Sequence, residues 1–118
     1  MSDLQGLAER LRQFVQAREW EEFHTPKNLA MALAGEAGEL LAEFQWLTPS
    51  ESSTVMEDPE AAGRVRGEVA DVMLYLVRLA DALGIDLIEA AHAKLSESEQ
   101  RYTVRDYRGS ARKAPPLP

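Results

Sequence analysis

The sequence predicts an all-α protein built as an antiparallel four-helix bundle. Apolar residues recur every three to four positions, which is the helical period, and no Asn-Gly or Asp-Gly hairpin signal occurs. Four periodic segments are predicted as helices, and they cover residues 2–18, 26–47, 60–83 and 86–102. The 118 residues have the length of one domain, which ends in an irregular, basic and proline-containing tail at residues 103–118.

The ends of each helix are marked by residues with known terminal preferences. Ser2 is the expected N-cap of the first helix, and Pro26 suits the first turn of the second. Residues 48–59 are rich in Ser, Pro and acids and are predicted to be a loop. Gly84 is placed to end the third helix, and Asp86 to cap the fourth.

Composition excludes several classes of protein. The 45% hydrophobic and 28% charged content is typical of a globular chain, and zero cysteines exclude disulfides, thiolate metal sites and a cysteine nucleophile. No charge-free run is long enough for a transmembrane helix, and the N-terminal segment lacks the pattern of a secretory signal. We therefore expect a cytoplasmic protein that contacts no membrane.

Charge is distributed unevenly along the chain. The net charge is −7, yet residues 101–118 carry five basic residues and one acidic residue. An acidic body repels phosphate backbones, so we expect no nucleic-acid polymer as a partner. The basic tail could hold a small phosphorylated ligand or neutralise an acidic neighbour, and the sequence leaves both open.

Two pairs of acids lie on equivalent helix edges. Glu36 and Glu39 border the apolar stripe of the second predicted helix, and Glu68 and Asp71 border that of the third. In an antiparallel hairpin both pairs would lie at a similar height, so four carboxylates would face one another. A hard divalent cation, Mg²⁺ or Mn²⁺, would resolve that repulsion. The pattern alone equally permits a solvated acidic face or acids that pair with Lys and Arg.

A second metal pattern is weaker. Glu89 and His92 form one Glu-x-x-His unit, but a di-iron bundle requires two such units. Glu89 also lies far from the centre of the apolar stripe of its helix. We therefore expect Glu89 to act as part of a helix cap and His92 to lie on the surface.

Other side chains suit a nucleotide. Lys94, Ser98 and Arg101 fall at positions i, i+4 and i+7 of the fourth predicted helix, where they could line a polyphosphate or form a solvated basic edge. Four amphipathic rings could stack on a base or hydrogen-bond to it, although core packing is the commoner role of Trp. They are Trp20, His24, Trp46 and Tyr75.

These motifs together resemble the all-α MazG-type nucleoside triphosphate pyrophosphohydrolases over nearly the whole chain. The family pattern is Glu-Glu-x-x-Glu, a spacer and Glu-x-x-Asp, and here Gly35 replaces the first Glu. The dCTP pyrophosphatase branch is similar in lacking that residue. Further segments that look like this branch are residues 20–28, 39–46, 71–81, 84–87 and 108–113.

The resemblance implies Mg²⁺-dependent hydrolysis of a nucleoside triphosphate to the monophosphate and pyrophosphate by a homodimer or homotetramer. It implies that the metal ligands are Glu36, Glu39, Glu68 and Asp71, with Glu36 as our candidate for the base that activates water. It also implies a base and sugar pocket formed by Trp20, His24, Asn28, Trp46 and Tyr75, and phosphate contacts from Lys94 and Arg101, with Ser98 between them.

The chain departs from the branch in three places. The branch usually has Asn where this chain has Ser98, a small or basic residue at Glu99, and Tyr at Ala114, so phosphate affinity and the tail could differ. Two other classes of protein stay open. One is a non-catalytic helical module that binds a nucleotide or Mg²⁺, and the other is a purely structural oligomerising bundle.

Overall fold

The computed structural model describes residues 3–118, and no strand occurs among them, which confirms the all-α class. The described elements are α1 (Leu4–Ala17), α2 (Pro26–Ala42), α3 (Pro49–Ser53), α4 (Pro59–Leu83), α5 (Leu87–Arg101) and α6 (Val104–Tyr107), with 3₁₀ turns at Glu21–Phe23 and Val55–Glu57. The four predicted helices correspond to α1, α2, α4 and α5. No helix of residues 3–118 combines the length and the apolar character that crossing a bilayer requires.

Three predicted segments differ in detail. α2 ends at Ala42 rather than at residue 47, because the backbone tightens there: the Glu43 amide donates to the Leu40 carbonyl. The predicted loop at 48–59 contains α3, since Thr48 and Glu51 form a capping box with bonds of 3.1 and 2.8 Å. The predicted irregular tail begins with the short helix α6.

Caps fix the remaining helix ends. The N-cap of α1 is Asp3, whose side chain accepts from the Gly6 amide, and the predicted cap Ser2 lies outside the described residues. Gly84 ends α4 with a left-handed φ of +68°, and Asp86 caps α5, as predicted. Pro26 occupies the first turn of α2, also as predicted.

The structure divides into two compact units, residues 3–84 and 85–118. In the first unit α4 is central and packs on α2, on α1 and on the 3₁₀ turn at Val55–Glu57. Arg64 near the start of α4 meets Glu43 just after α2, whereas Arg78 near the end of α4 meets His24 just before α2. α2 and α4 are therefore antiparallel, as the hairpin prediction requires.

The core of the first unit is small. Its buried apolar residues are Val15, Leu29, Ala61, Ala62, Val65, Val77 and Ala80. Large apolar side chains on the same helices stay exposed, among them Met31 at 63% and Leu41 at 62% on α2. A single copy of this chain therefore leaves much of its apolar surface in contact with water.

The second unit contains α5, α6 and the tail. Arg101 at the end of α5 donates to the carbonyls of Ala114 (2.7 Å) and Pro115 (3.1 Å). The Tyr102 hydroxyl accepts from the Ala114 amide at 3.2 Å, and Ala114 is buried. These bonds hold the end of the tail against the end of α5.

Candidate functional site

Three carboxylates meet between α2 and α4. One carboxylate oxygen from each of Glu36, Glu39 and Glu68 lies within 4.8 Å of the others. Asp71 is not part of this group, although its negative charge raises the pKa of both Glu36 and Glu68. The structure thus brings together three of the four predicted acids and places the fourth within electrostatic reach. We call Glu36, Glu39 and Glu68 the acid centre.

Two oxygens of the acid centre are buried without a partner. Glu36 Oε2 and Glu68 Oε2 have almost no solvent contact and no hydrogen bond. Among residues 3–118, no Lys or Arg forms an ion pair with any of the three carboxylates. Buried polar atoms are normally paired, so these oxygens favour a ligand over a merely solvated acidic face.

The pKa values of Glu36 and Glu68 are both raised, as expected for a cluster of carboxylates with no positive partner in the described part of the chain. The pKa of Glu36 is raised to about 7, chiefly because its protonated form can hydrogen-bond to Glu39, and further by burial and by the surrounding negative charges. Burial is the main cause that raises the pKa of Glu68, and the Glu39 charge adds to it. Without a cation, the centre thus holds a proton near neutral pH. All its donors are carboxylate oxygens, which fit a hard divalent cation.

A neighbouring ion pair was not predicted from the sequence. Arg64 Nε donates to Glu43 Oε1 at 2.9 Å, and the Glu43 charge contributes to the raised pKa of Glu68. Glu43 lies seven residues after Glu36 and so shares its helix edge, which is the signal that could have identified it. The arginine neutralises this fourth nearby glutamate and leaves the acid centre itself uncompensated.

The predicted aromatic residues are not core residues. Trp20 is 42% exposed and Trp46, in the turn after α2, is 86% exposed. The Trp20 ring contacts Phe14 edge-on at 5.7 Å between centroids and lies 6.4 Å from the His24 ring. Because neither tryptophan is buried in this chain, both are available to a ligand or to another copy.

The remaining residues of the predicted base and sugar pocket have local structural contacts. Asn28 lies in the first turn of α2, where its Nδ2 donates to the Phe23 carbonyl at 3.1 Å and its amide donates to Oγ1 of the N-cap residue Thr25. Tyr75 is half-buried on α4, one helical turn after Asp71. Their proposed contacts with a nucleotide stay predictions.

A second charged group lies toward the end of α4. Arg12 of α1 binds Asp81 through two hydrogen bonds of 2.8 and 3.1 Å, and Arg78 approaches the same carboxylate at 3.4 Å. Arg78 also donates from Nε to Nδ1 of His24 at 3.3 Å. We call Arg12, Asp81, Arg78 and His24 the paired network. Three of its members lie in the branch-like segments 20–28 and 71–81, but no pattern in the sequence indicated that they contact one another.

The predicted phosphate-binding residues all lie on α5, which confirms their shared helix. Lys94 pairs with Glu97 at 3.2 Å, Ser98 is half-buried, and Arg101 binds the tail. Their phosphate contacts stay predictions, and the tail contact of Arg101 was not anticipated. His92 is exposed and joins no cluster of ligating side chains within residues 3–118.

Comparison with known proteins connects this geometry to a family. The sequence profile of the MazG-like family matches residues 32–115. Two proteins named dCTP pyrophosphatase 1, from Mus musculus and Homo sapiens, are 42% and 40% identical over 106 residues, or 90% of this chain. The chain spans about 62% of the length of these relatives.

One solved structure is similar to this chain in both fold and sequence. A crystal structure of a pyrophosphatase from Archaeoglobus fulgidus superposes with a TM-score of 0.78 at 40% identity, covering 84% of this chain and 91% of the other. The family match and the curated relatives each extend over more than two thirds of the present sequence. This chain belongs to the MazG-like family.

Proposed function

We propose that this chain hydrolyses a nucleoside triphosphate, dCTP or a modified dCTP, to the monophosphate and pyrophosphate, and so clears the nucleotide pool. The observation that carries the proposal is the acid centre, with its two buried, unpartnered oxygens. Identity of about 40% to proteins named dCTP pyrophosphatase 1 supports the choice of reaction and substrate.

The cation we propose is Mg²⁺, with Mn²⁺ as a substitute. Glu36, Glu39 and Glu68 would hold it together with Asp71, whose charge already acts on the centre. When bound, such a cation polarises the phosphoryl group and offsets the charge that develops on the leaving pyrophosphate. The all-oxygen donor set favours these hard ions over Zn²⁺.

Glu36 is our candidate for the general base. Its carboxylate has one buried oxygen without a hydrogen-bond partner among the described residues, and Glu36 is half-buried whereas Glu39, the other acid of α2, is exposed. A carboxylate within reach of the attacking water can accept its proton. In the proposed reaction Glu36 orients the attacking water and accepts its proton, while Glu39 is positioned to share that proton.

We assign the substrate contacts as the resemblance implies. The base and sugar would lie against Trp20, His24, Asn28, Trp46 and Tyr75, and the exposure of both tryptophans supports this. The phosphates would be held by Lys94, Ser98 and Arg101. These α5 groups offer cationic and hydroxyl donors, which form charge-assisted hydrogen bonds to phosphate oxygens.

Assembly and compartment complete the proposal. The small core and the exposed apolar residues Met31, Leu41, Val69 and Met73 on α2 and α4 support a homodimer or homotetramer. The net charge of −7 argues against binding to a nucleic-acid polymer. We place the activity in the cytoplasm, which suits a chain without cysteines.

The test is a panel of NTPs and dNTPs with Mg²⁺, in which pyrophosphate and orthophosphate are measured separately. We expect pyrophosphate, the highest kcat/KM for dCTP or a 5-modified dCTP, and no product once a chelator removes the cation. Nucleotide binding without any product would instead identify a non-catalytic binding module. Orthophosphate as the first product would overturn the proposed site of cleavage.

A further inference from the structure

In the hydrogen bond between Arg78 and His24, Arg78 must be the donor and His24 the acceptor. The guanidinium of Arg78 stays protonated in proteins, so its Nε can only donate. The acceptor at 3.3 Å is Nδ1 of His24, which must therefore present a lone pair. A neutral imidazole with a bare Nδ1 carries its single proton on Nε2.

The surroundings of His24 keep the ring neutral. Partial burial lowers the pKa of His24, and the nearby positive charge of Arg78 lowers it further. The neighbouring Trp20 ring, 6.4 Å away between centroids, adds no charge. At neutral pH the ring thus has one donor, the Nε2–H group.

Arg78 is itself held in place. Its side chain is only 11% exposed, and its Nη1 lies 3.4 Å from Asp81 Oδ2. The same carboxylate is bound by Arg12 from α1. Asp81 therefore anchors Arg78, and α1 is connected to the same carboxylate through Arg12.

We propose that Arg78 is a positioning residue that fixes His24 as its Nε2–H tautomer, so that His24 presents a hydrogen-bond donor to the base of the nucleotide. The second clause rests on the proposed function, in which His24 lines the base pocket. The matching group on the substrate is a hydrogen-bond acceptor, and the ring nitrogen N3 and the carbonyl O2 of cytosine are of this class. The tautomer itself is a property of the free protein.

The first measurement is nitrogen-15 NMR of histidine-labelled protein at neutral pH without nucleotide. The two ring nitrogens of each tautomer have well-separated shifts, so the protonated nitrogen is assigned directly. The chain has two histidines, and exposed His92 on α5 serves as the internal reference. We expect the Nε2–H form alone for His24. A His24 protonated on Nδ1 would overturn the proposal.

Two variants separate a direct effect from a structural one. Arg78→Met and Arg12→Met each remove one arginine from Asp81, but only Arg78 touches His24. We expect a mixture of tautomers in Arg78→Met and the unchanged Nε2–H form in Arg12→Met. Arg78→Lys, which keeps a donor and the charge, should restore part of the preference. The same His24 tautomer in Arg78→Met as in the wild-type protein would overturn the proposal.

Kinetics test the consequence for the substrate. Arg78→Met should raise KM for the preferred dNTP by the factor by which the fraction of the Nε2–H tautomer falls, about twofold for an equal mixture, with a smaller change in kcat. If Arg78→Met does not fold, the wild-type spectrum and Arg78→Lys still decide the tautomer. A chain that releases no pyrophosphate refutes the proposed function alone, because the NMR result stands without any turnover.

Discussion

The acid centre and the paired network, which both include residues of α4, differ in whether their charges are compensated. At the acid centre, Glu68 faces Glu36 and Glu39, and no Lys or Arg within residues 3–118 compensates them. Between three and four helical turns further along, Asp81 has Arg12 and Arg78 as partners. One helix therefore carries both an unsatisfied cluster and a satisfied one. The difference favours a ligand-binding role for the acid centre and a structural role for the paired network, which holds its side chains in place.

The pKa shifts have opposite signs for the same reason. The hydrogen bond from Arg12 lowers the pKa of Asp81, whereas the contact with Glu39, burial and neighbouring carboxylates raise that of Glu36. A lowered pKa favours the folded state once the carboxyl is ionised, and a raised pKa favours it while the carboxyl is protonated. The paired network is thus complete in the protein alone, whereas the acid centre keeps two buried oxygens without a partner in residues 3–118.

The largest expected effect is at the acid centre. Glu68→Gln and Asp71→Asn should each lower kcat by more than about 100-fold, because even residues behind the direct ligands of a metal contribute 10- to 100-fold. The helical circular-dichroism spectrum should not change. Glu60→Gln, on the exposed first turn of the same helix, is the matched control and should keep its activity. Near wild-type turnover in either variant would remove the metal assignment.

The next effect concerns the cations of the second unit. Lys94→Ala and Arg101→Ala should each lower kcat/KM by about 10- to 100-fold, the cost of a charge-assisted hydrogen bond to phosphate. Glu97→Gln removes the partner of Lys94 without removing the lysine, and should not lower kcat/KM. Unchanged kcat/KM in both alanine variants would instead assign the phosphates to Arg108, Arg112 and Lys113.

Ser98→Asn is the companion change to those variants. It restores the residue that is usual in the branch, and an amide offers a phosphate a donor as the hydroxyl does. We expect kcat/KM equal to the wild-type value or higher. A marked loss of activity would show that the pocket of this chain is adapted to serine, so this variant measures how far the phosphate side departs from its relatives.

In the proposed function, His24 would connect the paired network to substrate choice. His24→Ala should reduce the preference for dCTP over dATP and dGTP by roughly tenfold, since one hydrogen bond to the base is lost. Pyrophosphate release from a poor substrate should change less. The measurement is the ratio of kcat/KM values, and equal values for all three nucleotides in the wild-type protein would contradict a base pocket here.

The smallest expected effect is on the thermal stability of the protein. Its dependence on pH distinguishes the acid centre from the paired network. The folded pKa of Glu36, about 7, exceeds its ordinary value of 4.5, so its contribution to stability is complete at low pH and is lost as pH rises through about 7. The Tm of metal-free protein should fall from about pH 5 to pH 8, and Mg²⁺ should reverse the fall. Glu36→Gln should flatten it.

Asp81 serves as a control, because its pKa is shifted in the opposite direction to that of Glu36. Its lowered pKa means that its contribution is present above its ordinary value of 3.8 and is lost only as pH falls below it. Asp81→Asn should therefore leave the Tm profile between about pH 5 and pH 8 parallel to that of the wild-type protein. A profile without any slope in the metal-free wild type would contradict the charge repulsion at the acid centre.

The acid centre could be predicted because its geometry follows from helical period and chain reversal. Glu36 and Glu39 are three residues apart on one helix, and an antiparallel partner brings Glu68 to the same height. The exact group could not be predicted, because Glu68 and Asp71 lie about 60° apart around α4, and the rotation of α4 about its axis decides which of them reaches the others. Sequence spacing does not determine that rotation.

Other features of the structure could not be predicted from local sequence patterns. The contact between Arg78 and His24 joins residues 54 positions apart, and no motif connects them. The apolar pattern of α2 continues through Phe44 and Trp46, although the helix ends at Ala42, because amphipathic spacing persists in a turn after its hydrogen-bond pattern has changed. By contrast, the capping box at Thr48 and Glu51 is a readable pattern that the prediction of a loop overlooked.

The exposure of Trp46 gives the molecule an optical readout. The chain has two tryptophans. In a single copy Trp46 is 86% exposed, so we expect it to emit from an aqueous environment, whereas Trp20 is partly shielded by Phe14. Acrylamide should therefore quench the red edge of the emission first. A nucleotide that stacks on Trp46 would shift that edge to the blue and protect it from the quencher. The unlabelled protein would then report occupancy of the proposed base pocket during a titration.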